Sequence, residues 1–145
     1  MLIETLRPMT SARLATVTAN ATLLTAARVL SRPQVGLLIV CDESGRVAGV
    51  LSKSDVIRHL TNAGITEASA ANVMSRGVVS CRPEDDLYAT WQKMTARSLQ
   101  NMPVLDADLM PLGVLDIRDA LRALFMNEEY QERLLQNYID GVGYQ

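Results

Sequence analysis

The chain has 145 residues, 48% of them apolar, with 16 acidic against 14 basic side chains for a formal charge of −2, and a pI near 5.4. That length supplies the core of one compact domain or of two very small ones packed together. The basic residues are scattered rather than clustered, which excludes nucleic acid as the main partner. The longest apolar run, residues 35–40, falls far short of the ~20 residues a bilayer span requires. Met1-Leu2-Ile3-Glu4 lacks a basic segment followed by a long apolar one. A cytoplasmic protein without membrane contact is therefore expected.

In chain order, residues 1–14 read as an N-terminal extension in which Pro8 breaks any early helix. Residues 22–31 place Leu23, Ala26, Ala27 and Leu30 on one helical face, with Asn20 or Thr22 as cap. Residues 35–41 and 47–51 are apolar runs around Asp42-Glu43-Ser44-Gly45, the pattern of a hairpin. A helix follows from Lys53 to about Asn62, with Val56, Ile57 and Leu60 inward and Gly64 as its breaker. The same order returns: a strand near 78–81, a helix over 86–97 capped by Asp85 or Asp86, strands at 102–105 and 112–115, and a helix over 117–125. Residues 126–140 form a last amphipathic helix whose stripe of Tyr130, Leu134, Leu135 and Tyr138 can meet either its own module or a neighbouring chain.

The two halves align on each other without a gap at an offset of 64 residues. Val40, Asp42, Gly49, Val50, Leu51, Asp55, Arg58 and Leu60 fall on Val104, Asp106, Gly113, Val114, Leu115, Asp119, Arg122 and Leu124. Thr16 falls on Ser80, Leu23 on Leu87, and Leu30 on Met94. The chain divides into the extension 1–14, repeats at 15–62 and 77–125, a linker at 63–76, and a C-terminal helix and tail at 126–145. A β-α-β-β-α unit covers only one face of its small sheet, and two units set sheet to sheet cover the other. The expected fold is α+β, with tandem β-α-β-β-α repeats related by a pseudo-two-fold axis plus a C-terminal helix.

These features resemble the CBS domain family. Gly49-Val50-Leu51-Ser52-Lys53-Ser54-Asp55 and Gly113-Val114-Leu115-Asp116-Ile117-Arg118-Asp119 are similar to its Gly-x-x-Ser/Thr-x-x-Asp signature. Asn72-Val73-Met74-Ser75 resembles the stretch that precedes a second repeat, and Leu6-Arg7-Pro8-Met9-Thr10 echoes it. Met102-Pro103-Val104-Leu105-Asp106 resembles the family's apolar-Pro-Val-Val-Asp strand. The resemblance implies a CBS domain pair, or Bateman module, which regulates without catalysis and binds AMP, ADP or ATP between its repeats, with S-adenosylmethionine a lesser candidate. It also implies a homodimer and a separate effector enzyme or transporter.

The chemistry of the signature can be read from its residues. Ser52 stands where a strand passes into a helix, so its hydroxyl and the first backbone N–H groups converge on one spot, with the helix dipole behind them. That spot suits phosphate, and Lys53 adds charge. Asp55, one turn further on, can accept from two neighbouring ribose hydroxyls. By resemblance, Ser52 takes the phosphate role and Asp55 the ribose role. Ser-x-x-Asp is equally a capping box, so a purely structural role stays open. In the second copy Asp116 replaces the serine and repels phosphate, Arg118 offers charge compensation, and Asp119 keeps the ribose position. The resemblance further implies that Thr16, Ser80, Leu38, Val40, Met102, Pro103 and Val104 line an adenine slot, although core packing also accounts for the apolar members.

No catalytic residue, metal site or required cofactor is expected. His59 follows Arg58 in a helix and belongs to no recognisable catalytic constellation, and no phosphate loop or nucleophile elbow occurs. Trp91 and Met94 share helical spacing with Leu87 and read as core or helix-interface residues. Cys41 and Cys81 lie in strand-like segments without Cys-x-x-Cys spacing and read as buried thiols. The competing functional reading is a ligand-free dimerisation or protein-interaction scaffold.

Overall fold

Each half of the chain builds a small sheet covered by helices on one face. A computed structural model describes residues 1–64 and 67–141. A 3-10 turn (Ile3–Leu6) and α1 (Arg7–Ala12) lead into β1 (Thr16–Thr18), α2 (Leu23–Leu30), β2 (Leu38–Cys41), β3 (Val47–Leu51) and α3 (Lys53–Ala63). A short α4 (Ala70–Val73) precedes α5 (Leu87–Ala96), β4 (Asn101–Leu105), β5 (Pro111–Asp116), α6 (Ile117–Met126) and α7 (Glu128–Ile139). The first sheet runs β1-β2-β3, with β1 parallel and β3 antiparallel to β2, and the second is the antiparallel pair β4-β5.

Strand alternation sorts the side chains into three layers. Leu38, Val40 and Leu51 point toward Leu23, Ala26, Leu30 and Val56. In the second half, Met102, Val104 and Leu115 point toward Leu87, Met94, Ala120 and Leu124. Ile39, Cys41 and Val114 form the layer between the two sheets, joined by Leu14, Leu37 and Val47. One backbone bond, from Val47 N–H to Leu109 C=O at 3.0 Å, ties the two hairpins together. Its symmetry mate is impossible, because the residue equivalent to Val47 is Pro111.

Two prolines explain why the strand expected near 78–81 contracts to a single parallel bridge, Cys81 to Val104. In the first repeat the N–H groups of Ile39 and Ala19 donate to Ala15 and Cys41, extending the parallel ladder at both ends. Their equivalents in the second repeat are Pro103 and Pro83, which have no N–H. Only the two central bonds survive, Cys81 N–H to Pro103 C=O and Leu105 N–H to Cys81 C=O, each at 2.9 Å.

The N-terminal residues differ from expectation. Pro8 occupies the first turn of α1, where its missing N–H costs nothing, and so opens the helix rather than breaking it. Ile3 and Leu6 are buried in the core of the second repeat with Leu87, Met94 and Leu124. Ile3 and Glu4 N–H groups donate to Asp85 and Pro83 carbonyls, just as Ala70 and Ala71 donate to Ala21 and Ala19 in the first repeat. The echo between Met9-Thr10 and Met74-Ser75 has a physical counterpart. A Cβ on Gly113 would lie 2.6 Å from the Thr10 carbonyl oxygen, and one on Gly49 would lie 2.7 Å from that of Ser75.

Two further readings are settled by packing. Val56 is buried, but Ile57 and Leu60 are 60% and 43% exposed, because α3 rests on its neighbours along a single narrow stripe. The terminal helix folds back on its own module. Leu134 enters the second repeat's core, Asn137 Nδ2 donates to Tyr88 Oη at 3.1 Å, and the Arg133 guanidinium lies 5.5 Å from the Tyr88 ring centre. Leu135 and Tyr138 remain exposed, while the side chain of Tyr130 and residues 142–145 lie outside the described residues. Leu87 and Met94 are fully buried, with Trp91 half-buried against them and 5.9 Å from the Tyr88 ring.

Candidate functional site

The two signature segments stand at equivalent junctions, β3 into α3 and β5 into α6, yet they are wired differently. At the first, Ser52 is the extended N-cap of α3. Its Oγ accepts from Asp55 N–H at 3.2 Å, and the Asp55 carboxylate accepts from Ser52 N–H at 2.8 Å and Ser52 O–H at 3.0 Å. The capping box is thus complete. The other Asp55 oxygen accepts from the exposed Arg58 at 3.2 Å. Lys53 is exposed beside it.

At the second junction both carboxylates are buried, Asp116 3% and Asp119 5% exposed. Asp116 caps α6 by accepting from Arg118 N–H at 2.8 Å, and its two oxygens also accept from the Arg118 guanidinium at 3.0 and 2.8 Å. Asp119 does not fold back on the cap. Its oxygens accept from Arg13 Nε at 2.6 Å and Nη2 at 3.2 Å. The same guanidinium reaches to 3.7 Å from Asp116 and donates to the Gln34 carbonyl at 3.2 Å. Burial pushes the Asp116 carboxyl upward, but hydrogen bonds from Arg118 and the charges of Arg118 and Arg13 outweigh it, and the group titrates below the usual carboxylate range. The Arg13 guanidinium is held more firmly protonated by its bond to Asp119.

This network shows how the clefts are composed: Arg13 and Gln34 of the N-terminal half meet the signature of the C-terminal half. Arg13 and Gln34 are the members of this network that inspection of the signatures missed. Extending the 64-residue offset of the self-alignment places Arg13 on Gly77. A Cβ at Gly77 would meet nothing within 4 Å. One signature carboxylate is clasped by the protein's own arginine, whereas the position paired with Arg13 in the self-alignment carries no side chain.

The apolar residues assigned to the ring slot occupy the cores. Leu38, Val40, Met102 and Val104 all turn toward the helices, Pro103 is buried in β4, and only backbone edges of these strands can face a ligand. Thr16 is exposed at the start of β1. Ser80 and Met102 come together in a cleft of about 220 Å³ lined also by Asp85, Asp86, Thr90 and Lys93, a lining that does not include Ser52 or Asp55. Both cysteines are buried and free. Burial pushes both thiols up, that of Cys81 to about 12. Among the described residues no group of acidic, histidine and cysteine side chains could hold a metal ion, and no helix is long and apolar enough to cross a membrane.

Two β-α-β-β-α units packed sheet to sheet, each with a polar signature where its last helix starts, define a tandem-repeat architecture. The CBS domain family matches residues 4–62 and 70–126, and the chain belongs to that family. Among curated proteins it is similar to arabinose 5-phosphate isomerase KdsD of Yersinia pestis, 32% identical over 79% of this chain and 35% of the isomerase. It is also similar to the gamma-3 subunit of 5'-AMP-activated protein kinase of Bos taurus, 29% identical over 79% of this chain and 24% of the subunit. The chain spans about a third or less of these two relatives. Among solved structures, the CBS domain pair of protein MJ0100 in complex with 5'-methylthioadenosine and S-adenosyl-L-methionine superposes with a TM-score of 0.73 at 20% identity, covering 85% of this chain and 94% of that one. CBSX2 in complex with AMP gives a TM-score of 0.70 at 18% identity, covering 83% and 96%. The cytosolic domain of the Mg2+ channel MgtE in complex with ATP gives 0.66 at 26% identity, covering 77% and 45%.

Proposed function

We propose that this chain is a non-catalytic regulatory module that binds an adenine nucleotide, AMP, ADP or ATP, in the Ser52 cleft and signals by changing the packing of its repeats or of a dimer. The observation that carries this reading is the asymmetry between the clefts. Ser52 and Asp55 stand at the start of an 11-residue helix, and the position that the 64-residue offset pairs with Arg13 is Gly77, which carries no side chain. A phosphate there meets first-turn N–H groups and the Ser52 hydroxyl rather than a carboxylate. Lys53 supplies further positive charge, and the outward oxygen of Asp55 accepts from exposed Arg58, an ion pair of about 0–1 kcal/mol that a ribose can displace.

The ligands named for MJ0100, CBSX2 and MgtE support the adenine class. In this reading Ser80, Thr16, Pro103 and the backbone of the strands bearing Leu38, Val40, Met102 and Val104 border the clefts, with repeats at 15–62 and 77–125. The helix faces carrying Ile57, Leu60, Leu121 and Phe125, all exposed, make a homodimer interface. The effector is a separate enzyme or transporter in the cytoplasm.

The completed capping box favours one competing reading, a scaffold in which Ser52 and Asp55 serve α3 alone. Titration calorimetry with AMP, ADP and ATP, repeated on Ser52→Ala and Asp55→Ala, separates the two. Saturable binding lost in both folded variants supports the nucleotide module. Absence of heat at micromolar sensitivity, with each variant losing only about 1 kcal/mol of stability, supports the scaffold.

A further inference from the structure

We infer that Arg13 is the specificity-determining residue that makes this module single-sited, by acting as a built-in occupant of the second cleft. The inference rests on the nucleotide reading above and assigns how the two clefts divide the work. A carboxylate that recognises a ribose does so by accepting from two adjacent hydroxyls. Asp119 already accepts from two donors of one planar group, Arg13 Nε and Nη2 at 2.6 and 3.2 Å, in the fork geometry that carboxylates bind most firmly. The third guanidinium nitrogen is fixed by the Gln34 carbonyl at 3.2 Å. Asp116, at the phosphate position, has its oxygens committed to Arg118. Both signature carboxylates are therefore satisfied by the protein's own arginines, and a nucleotide entering the cleft would have to strip a buried carboxylate of its cation while bringing a phosphate toward Asp116.

The first cleft lacks both devices. Where the second has Arg13 the first has Gly77, with open space at its Cβ. Where the second has Asp116 the first has Ser52. Because Arg13 directly follows α1, whose N-terminal neighbours Ile3 and Leu6 are anchored in the second repeat's core, the plug is held by the fold rather than by a mobile side chain alone.

Two substitutions convert the second cleft toward the first. Arg13→Gly combined with Asp116→Ser gives the second cleft the residues of the first and removes one buried acid and one cation, so that the net charge is unchanged and Asp119 is left in the situation of Asp55. The full chain, wild type and variant, is titrated with AMP in a calorimeter after a thermal melt shows that each is folded. The expected stoichiometry rises by one, from one AMP per chain to two. An unchanged stoichiometry in a folded variant, or two sites already in the wild type, overturns the inference while leaving the nucleotide reading intact. No binding by the wild type overturns that reading, and the variant then still decides the plug by gaining a site or not. Should the double variant not fold, Gly77→Arg at its exposed position serves instead: loss of the wild-type site with an unchanged melting temperature supports the inference, and retained affinity overturns it.

Discussion

Truncating Leu6 to alanine is expected to destabilise the second repeat although Leu6 lies about a hundred residues earlier in the chain than much of the core it joins. Leu6 is 1% exposed and packs with Leu87, Met94, Leu115 and Leu124. Large-to-small changes at such sites cost about 2–5 kcal/mol, combining lost transfer energy with the cavity left behind. The segment's backbone bonds to Pro83 and Asp85 hold it in place, so the site cannot collapse fully and about 3 kcal/mol is expected. For a chain of this size that is a fall in melting temperature of roughly 6–12 °C. Urea and thermal unfolding measure it, with Met9→Ala, a partly exposed neighbour in α1, as a control expected within about 0.5 kcal/mol of wild type. A Leu6→Ala protein as stable as the control would refute the assignment of residues 3–12 to the second repeat's core.

Two further outcomes follow from the titrating groups. The Asp116 carboxyl is held below its ordinary range in the folded chain, so its contribution is fully present above the unfolded carboxyl value of about 3.9 and is lost as pH falls through the lower folded value. Acid unfolding of wild type should therefore be steeper below about pH 4 than that of Asp116→Asn, and equal slopes would contradict the network. Cys81, buried with its thiol pushed up to about 12, should resist a thiol-labelling reagent at pH 8 until denaturant is added, with Cys41 behaving alike. Prompt labelling of either without denaturant would show that the sheets part more readily than their packing implies.

What could be read from the residues alone was the repeat, because two weak patterns in register constrain each other. Thr22, Ser52 and Asp86 cap their helices as short polar residues ahead of apolar periodicity should. Pro8 masks the N-terminal helix in the sequence, because a proline that breaks a helix interior is also at home in a first turn. The prolines at 83 and 103 did announce a weakened strand, but only once their first-repeat equivalents were known to donate. Ile57 and Leu60 show the limit of periodicity, which identifies an apolar stripe without saying how wide a partner covers it. Arg13 and Asp119 are 106 positions apart, and no local pattern joins them. Only the pseudo-two-fold fold, with one half's entry set against the other half's signature, brings them within a hydrogen bond.

The most direct test of the account is a crystal structure of the full chain grown with AMP. The account predicts one nucleotide per chain, its phosphate at the start of α3 against Ser52 and its ribose on Asp55, with Arg13 still clasping Asp119. A nucleotide seated on Asp119 with Arg13 displaced, or crystals free of AMP at millimolar ligand, would contradict it.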